Sequence, residues 1–309
     1  MINRFYLLVL TLISLFTYSV QGQNIQIEGK VLNDLTPSDG EVNGLSLSTT
    51  DSFFIHVTNN FGLTVFVQKV QANGDFVLSN IAPNTNYTLV LAGVRGALGI
   101  PAPNYMPSNW AFSGEDCCDG TGNDGILDGK IALSVGNTDI TQVNFGIQEL
   151  LSIGNLVWHD LNSDGLKDSN EPGIQGASVK VYKDADLNGF PDAGPIMSTN
   201  SDATGYYSFN GLYSGDYIVG VTPPSTIGSH PYVSVTINEE QNPNADQDNN
   251  DNGILENLGE FFSGTIHLSL NDEPLGEVPN YVTALDENAN LTIDFGFYQV
   301  HRPPYTYPA

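Results

Sequence analysis

The chain has 309 residues, and its 35 Asp and Glu outweigh 9 Lys and Arg to give a formal net charge of −26. Such a surface repels phosphate backbones and anionic lipid, which excludes nucleic acid and acidic membranes as partners. The 14 Tyr and 15 Phe, with regular β-branched runs, argue for packed cores rather than disorder, and the two cysteines, adjacent at Cys117 and Cys118, exclude a conventional disulfide framework. For that pair a vicinal bridge, a link to another chain and two free thiols all remain open.

The chain opens with Arg4, an apolar run from Phe5 to Phe16, and small residues Val20 and Gly22 at a cleavage position. This pattern predicts a signal peptide over residues 1–22 and a mature protein starting at Gln23. An uncleaved anchor is the alternative, although the run is short for a spanning helix. No later stretch reaches the roughly 18 apolar residues that a membrane helix needs.

Two halves with the same order of landmarks follow. In residues 23–149, Ile27–Val31 is followed by Asn33-Asp34, Asn73-Gly74-Asp75-Phe76, Tyr87, Asn123-Asp124-Gly125-Ile126-Leu127-Asp128 and finally Val143-Asn144-Phe145-Gly146-Ile147. In residues 150–300 the counterparts are Ile153–Trp158, Asp160, Thr204-Gly205-Tyr206-Tyr207, Tyr217, Asp251-Asn252-Gly253-Ile254-Leu255-Glu256 and Ile293-Asp294-Phe295-Gly296-Phe297. Alternating runs such as Val179–Tyr182 and Tyr217–Val221, punctuated by Gly, Asn, Asp and Pro, are short strands. The expected fold is all-β: two tandem Ig-like or Cna B-type β-sandwich modules after a signal peptide, joined by a short seam near Glu149–Ser152. Tyr217 is a candidate corner residue or simple core. Residues 301–309 read as a Pro-rich tail.

The strongest chemical signal is the loop Asp160 to Glu171. Asp160, Asn162, Asp164 and Asp168 occupy loop positions one, three, five and nine, Gly165 the sharp turn at six, and Glu171 the bidentate position at twelve; the carbonyl of Leu166 supplies position seven. An all-oxygen set of this size suits Ca²⁺ better than Mg²⁺, which demands a tighter octahedron. A second loop places Asp184, Asp186, Asn188 and Asp192 at one, three, five and nine, with the Phe190 carbonyl at seven and Pro195 in place of the closing acid. Another segment, such as the first loop, would have to complete it. A third candidate comprises Asp248, Asn250, Asn252 and Glu256, with Asp246 and Asp251 nearby. The alternative for each is a solvated acidic turn. Asp34 with Asp39, and Asp116, Asp119, Asn123, Asp124 and Asp128, form looser clusters without the full spacing.

Residues 150–300 resemble the SdrD B-like domains of bacterial surface adhesins. The resemblance lies in Gly154-Asn155-Leu156-Val157-Trp158-His159-Asp160, the Asp160–Glu171 loop, Gly173–Val179 and Thr204–Phe209, and it thins after Val221, where the stretch to Phe261 looks inserted. It implies a β-sandwich related to the Cna B type, bound calcium and a stalk or spacer role. The first half departs further, and its Asn73–Leu91 segment is also similar to carboxypeptidase regulatory-like sandwiches. Some Cna B-type relatives carry a Lys–Asn crosslink, for which Lys30 and Asn144 are the pair to inspect.

The resulting expectation is a secreted or cell-surface, calcium-stabilised structural or adhesin stalk protein without catalytic residues. Scattered histidines, the absence of a Gly-x-Ser-x-Gly elbow and acids gathered in Gly/Asn turns all point away from an enzyme. The alternatives are an extracellular carbohydrate- or protein-binding module, for which Tyr105–Phe112 with Trp110 is the aromatic candidate, and an accessory domain of a secreted hydrolase. The expected partner is an unidentified extracellular protein or glycan.

Overall fold

The computed structural model describes residues 24–34, 42–118, 124–224, 232–234, 242–245, 247–277 and 282–299. The expected signal peptide, the Pro-rich tail, Asp39, Asp119, Asn123 and the candidate ligand Asp246 lie outside them. The described chain is all-β apart from two short 3₁₀ turns.

The first half contains β1 (Ile25–Asn33), β2 (Leu45–Ser46), β3 (Phe54–Thr58), β4 (Thr64–Lys69), β5 (Asp75–Ile81), β6 (Thr85–Ala92), β7 (Trp110–Cys117), β8 (Lys130–Val135) and β9 (Ile140–Glu149). One sheet is ordered β2-β1-β9-β7, with β5 also on β1; the other runs β4-β3-β6-β8. Alternation explains which residues meet between them: Ile55 and Val57, Leu89 and Leu91, and Ile131 and Leu133 turn inward onto Ile27, Val31, Phe76 and Phe145 in one buried core.

The second half contains β10 (Leu151–His159), β11 (Ser178–Lys183), β12 (Met197–Asn200), β13 (Tyr206–Leu212), β14 (Gly215–Thr222), β15 (Tyr232–Ser234), β16 (Leu255–Asn257), β17 (Glu260–Phe262), β18 (Ile266–Leu268), β19 (Ala289–Asn290) and β20 (Phe295–Gln299). Its sheets run β13-β10-β20-β15 and β12-β11-β14-β17-β16 around a second core that includes Ile153, Val157, Val179, Val219, Phe295 and Phe297.

The repeat read from the sequence is a repeat in space. The first strand of each half pairs antiparallel with the strand after the glycine turn and parallel with the last strand: β1 with β5 and β9, β10 with β13 and β20. The register agrees as well, since Val31 faces Phe145 and Val157 faces Phe295. The Val31 amide donates to the Gly74 carbonyl at 2.8 Å and the Val157 amide to the Gly205 carbonyl at 2.9 Å. Gly74 and Gly205 have φ of +89° and +90°, and a Cβ on either would lie within 2.4 Å of the Val31 or Val157 oxygen. Glycine is required there for both reasons.

Tyr217 is the corner residue: its ring is buried and its hydroxyl donates to the Tyr213 carbonyl at 2.7 Å. Trp158 is wholly buried beside Gly296, where a Cβ would meet the indole at 2.7 Å. The segment that looked inserted contributes β15 and the β16–β17 hairpin, which extends the β14 sheet through Gly220 and Val221. Only Leu150 separates β9 from β10. Its amide donates to Asn109, and the adjoining Glu149 carboxylate accepts from buried Asn288 Nδ2 at 3.0 Å. Cys117 and Cys118 are bonded to each other. Lys30 and Asn144 are neighbours in the parallel register, but the Lys30 ammonium pairs with Asp75 on the outer face and Asn144 accepts the Lys30 backbone amide.

Candidate metal centres

The first loop begins where β10 ends. The Asp160 amide donates to the Phe297 carbonyl, anchoring the loop's first residue to the last strand. Its side chain is wholly buried and acts as the hub: Oδ1 accepts from the Ser163 amide at 2.6 Å and Oδ2 from the Gly165 amide at 2.8 Å. Ser163 and Gly165, at φ +60° and +79°, make the turn that aims those amides inward. Glu171, also buried, closes the other end, with Oε1 accepting from the Leu161 amide and Oε2 from the Asp168 amide. Asn162 Nδ2 bridges the carboxylates of Asp164 and Asp168 at 2.9 and 3.1 Å.

The third loop meets the first. Leu166 forms a β-bridge with Asn250, and the Lys167 amide donates to the Asn249 carbonyl at 2.9 Å. Asn250 is 6% exposed, and its Oδ1 is buried without a hydrogen-bond partner. Behind it, fully buried Asp294 accepts from the Leu156 and Asn249 amides, each at 2.9 Å. Burial, reinforced by the neighbouring Asp248 charge, pushes the Asp294 carboxyl well above the ordinary range. Asn252 locks this loop to the last strand through Oδ1, which accepts the Asp294 amide at 2.7 Å. Buried Asp251 accepts from Gly253 and Gly296. Glu256 lies instead in the β16–β17 hairpin, where its carboxylate accepts from the Gly259 amide.

The second loop starts at buried Asp184, whose carboxylate accepts from the Asn188 and Gly189 amides and from Thr265 Oγ1. Asp186 accepts from Asn188 Nδ2, and Asp192 from the Ala185 amide at 2.7 Å. Among the described residues, Asp184, Asp186 and Asp192 are the one group of three acidic ligands whose donor atoms all lie within 4.8 Å of one another. The Asn188 side-chain oxygen accepts the Phe190 amide. Beyond the loop itself, Thr265 reaches Asp184.

These donor sets are all oxygen, several already buried, and one buried oxygen has no protein donor; their chemistry fits a hard cation such as Ca²⁺. The spacing exposed the loops but not Asp294, which immediately precedes the last strand among apolar neighbours. A carboxylate within the repeated Ile293–Phe297 motif was its only signal.

A family model described as the SdrD B-like domain matches residues 151–260, the stretch that carries the first two loops. Residues 151–260 are therefore similar to an SdrD B-like domain. Serine-aspartate repeat-containing protein I of Staphylococcus saprophyticus is 34% identical over 154 residues, covering 49% of this chain and 7% of that protein. Serine-aspartate repeat-containing protein F of Staphylococcus epidermidis is 25% identical over 281 residues, covering 80% of this chain and 16% of that protein. The chain thus spans a small part of these relatives. Among solved structures, the minor pilin GBS52 of Streptococcus agalactiae aligns over 92% of this chain and 100% of its own at 9% identity and a TM-score of 0.27. The SdrD B-like domain and its upstream repeat hold no helix long and apolar enough to cross a membrane among the described residues.

Trp110, the aromatic candidate for a ligand surface, is buried. It packs edge-on against Phe53 at 5.5 Å, and its Nε1 donates to Asp51 at 2.7 Å. Tyr105 in the same stretch is 59% exposed.

Proposed function

We propose that this chain is a non-catalytic, calcium-stabilised stalk or adhesin segment of a secreted or cell-surface protein. Its two sandwiches act as separate folding units that meet at Leu150. The observation that carries the reading is the stitching of the Asp160–Glu171 loop to Asn249 and Asn250 and, through Asp160, to the last strand. Ordering that loop orders one end of the sandwich. A cation that binds only the folded state stabilises it by RT ln(1+[Ca]/Kd), about 2.7 kcal/mol per site at a hundredfold excess over Kd. Asp160, Asn162, Asp164, Leu166, Asp168 and Glu171 would hold the first ion. Asp184, Asp186, Asn188, Phe190 and Asp192 would hold the second, and Asp248, Asn250 and Asn252, with Asp294 behind them, the third.

Calorimetric titration with CaCl₂ tests this. Asp160→Ala and Glu171→Ala are each expected to remove the tightest binding event. Without metal, Asp160→Ala costs about 3 kcal/mol, because buried amides lose their acceptor. Titration curves unchanged by either variant would reject the first site.

A second reading, a glycan- or protein-binding module, is favoured by a groove on the outer face of β3, β6 and β8, lined by Thr58, Asn59, Asn86, Thr88, Lys130 and Ser134. Saturable glycan binding lost in Asn86→Ala would support it.

A further inference from the structure

The first half holds a pair of acids that the loop spacing does not reveal. Glu115 lies on β7, two residues before Cys117, and turns inward where the two sheets meet the 124–129 turn. It is 1% exposed. Its Oε1 accepts the Gly129 amide at 2.6 Å, while Oε2 is buried with no hydrogen-bond partner. The Asp128 carboxylate flanks it: Oδ2 pairs with Lys130 Nζ, and Oδ1 is likewise buried and unpartnered. Two orphaned carboxylate oxygens thus lie at one turn, with Asp124 close enough to add to the repulsion. Buried oxygens in this state cost free energy unless something donates to them or coordinates them. Lys130 serves one oxygen of Asp128.

We propose that Glu115 and Asp128 hold a divalent cation of calcium type in the first sandwich, at a site separate from the three loops of the second. The donors are hard carboxylate oxygens, and Asp124 on the exposed side can complete the charge balance. Burial pushes the Glu115 carboxyl up to about 7, opposed by the Gly129 and Asp128 backbone amides and reinforced by the Asp128 and Asp124 charges. Comparison of the repeats points the same way. The motifs Asp124-Gly125-Ile126-Leu127-Asp128 and Asn252-Gly253-Ile254-Leu255-Glu256 correspond in sequence. Glu256, however, is exposed and accepts the Gly259 amide of its own hairpin, whereas Asp128 directly precedes Gly129, whose amide donates to the buried Glu115 carboxylate. The turn is fixed for this use: Gly129 has φ +67°, and a Cβ there would lie 2.3 Å from the Phe112 ring.

The test is a count of Ca²⁺ bound per whole chain by equilibrium dialysis, for the natural sequence, Glu115→Gln, Asp128→Asn and Asp160→Asn. Glu115→Gln and Asp128→Asn are each expected to bind one ion fewer than the natural chain, or to bind it at least tenfold more weakly. Asp160→Asn is expected to lose its own ion and keep this one. Near-UV circular dichroism checks folding, and partly exposed Asp128 carries the test if Glu115→Gln does not fold. Counts equal to the natural chain in both Glu115→Gln and Asp128→Asn overturn the site. Loss in those two with no loss in Asp160→Asn upholds it and rejects the first loop of the second sandwich instead.

Discussion

Single residues at buried polar positions set the conditions under which this fold is stable. His56 is wholly buried on β3; Nε2 accepts the Gly96 amide at 2.8 Å, leaving Nδ1 as the nitrogen that donates to the Val90 carbonyl at 3.3 Å. Burial pulls its pKa below 6.5, against a smaller opposing effect from Val90. The neutral ring pins the loop that follows β6. Its contribution is therefore complete above pH 6.5, where the unfolded histidine is also neutral, and is lost as pH falls through the lower folded value. Urea unfolding of the chain between pH 7.5 and 5 is expected to show this loss, and His56→Gln is expected to flatten it. An unchanged slope in that variant would assign the acid sensitivity to other groups.

At the scale of elements, the two glycine turns should respond alike. Gly74→Ala and Gly205→Ala each force a Cβ against a carbonyl oxygen at positive φ, and each is expected to destabilise its own half by about 2 kcal/mol or more. Two calorimetric transitions, of which each variant lowers one, would show the halves unfolding separately; one shared transition would show them coupled. Much of this level was legible in the sequence. Strand alternation, the glycine turns and the shared closing motif report local chemistry that neighbouring residues fix among themselves. Asp294 and Glu115 were not legible, because their surroundings come from other strands and loops, with the hydrogen-bonded amides of Asn249 and Gly129 lying 45 and 14 residues away in the chain. Asp294 lies behind Asn249, and Glu115 beneath Gly129. Glu256 fits loop spacing yet is drawn into a hairpin by pairing between β16 and β17. The partner of the second loop, Thr265, comes from beyond that hairpin and carries no charge for a motif search to find.

Over the whole molecule, the junction and the acidic loops are where the two sandwiches and any bound cation would be coupled. Burial raises the Glu149 carboxyl above 4.5; the Asn288 amide opposes the shift, and Glu287 and Asp51 add to it. The proton is thus held more tightly in the folded chain, and the associated stability is present at low pH and lost as pH rises through the folded value. Glu149→Gln keeps an acceptor for Asn288 and is expected to raise the melting temperature at pH 7 while removing that pH dependence; a lower melting temperature would mean that the charge itself supports the junction. The larger effect is the net charge of −26, whose self-repulsion opposes compaction and which bound cations would offset. The most direct test of the calcium account is thermal unfolding of residues 23–309 in calcium, in magnesium and in chelator. The account predicts a melting temperature several degrees higher in calcium than in magnesium, with most of the difference lost in Asp160→Ala and Glu171→Ala. Superimposable melts in all three conditions, with no metal in the purified protein, would contradict it.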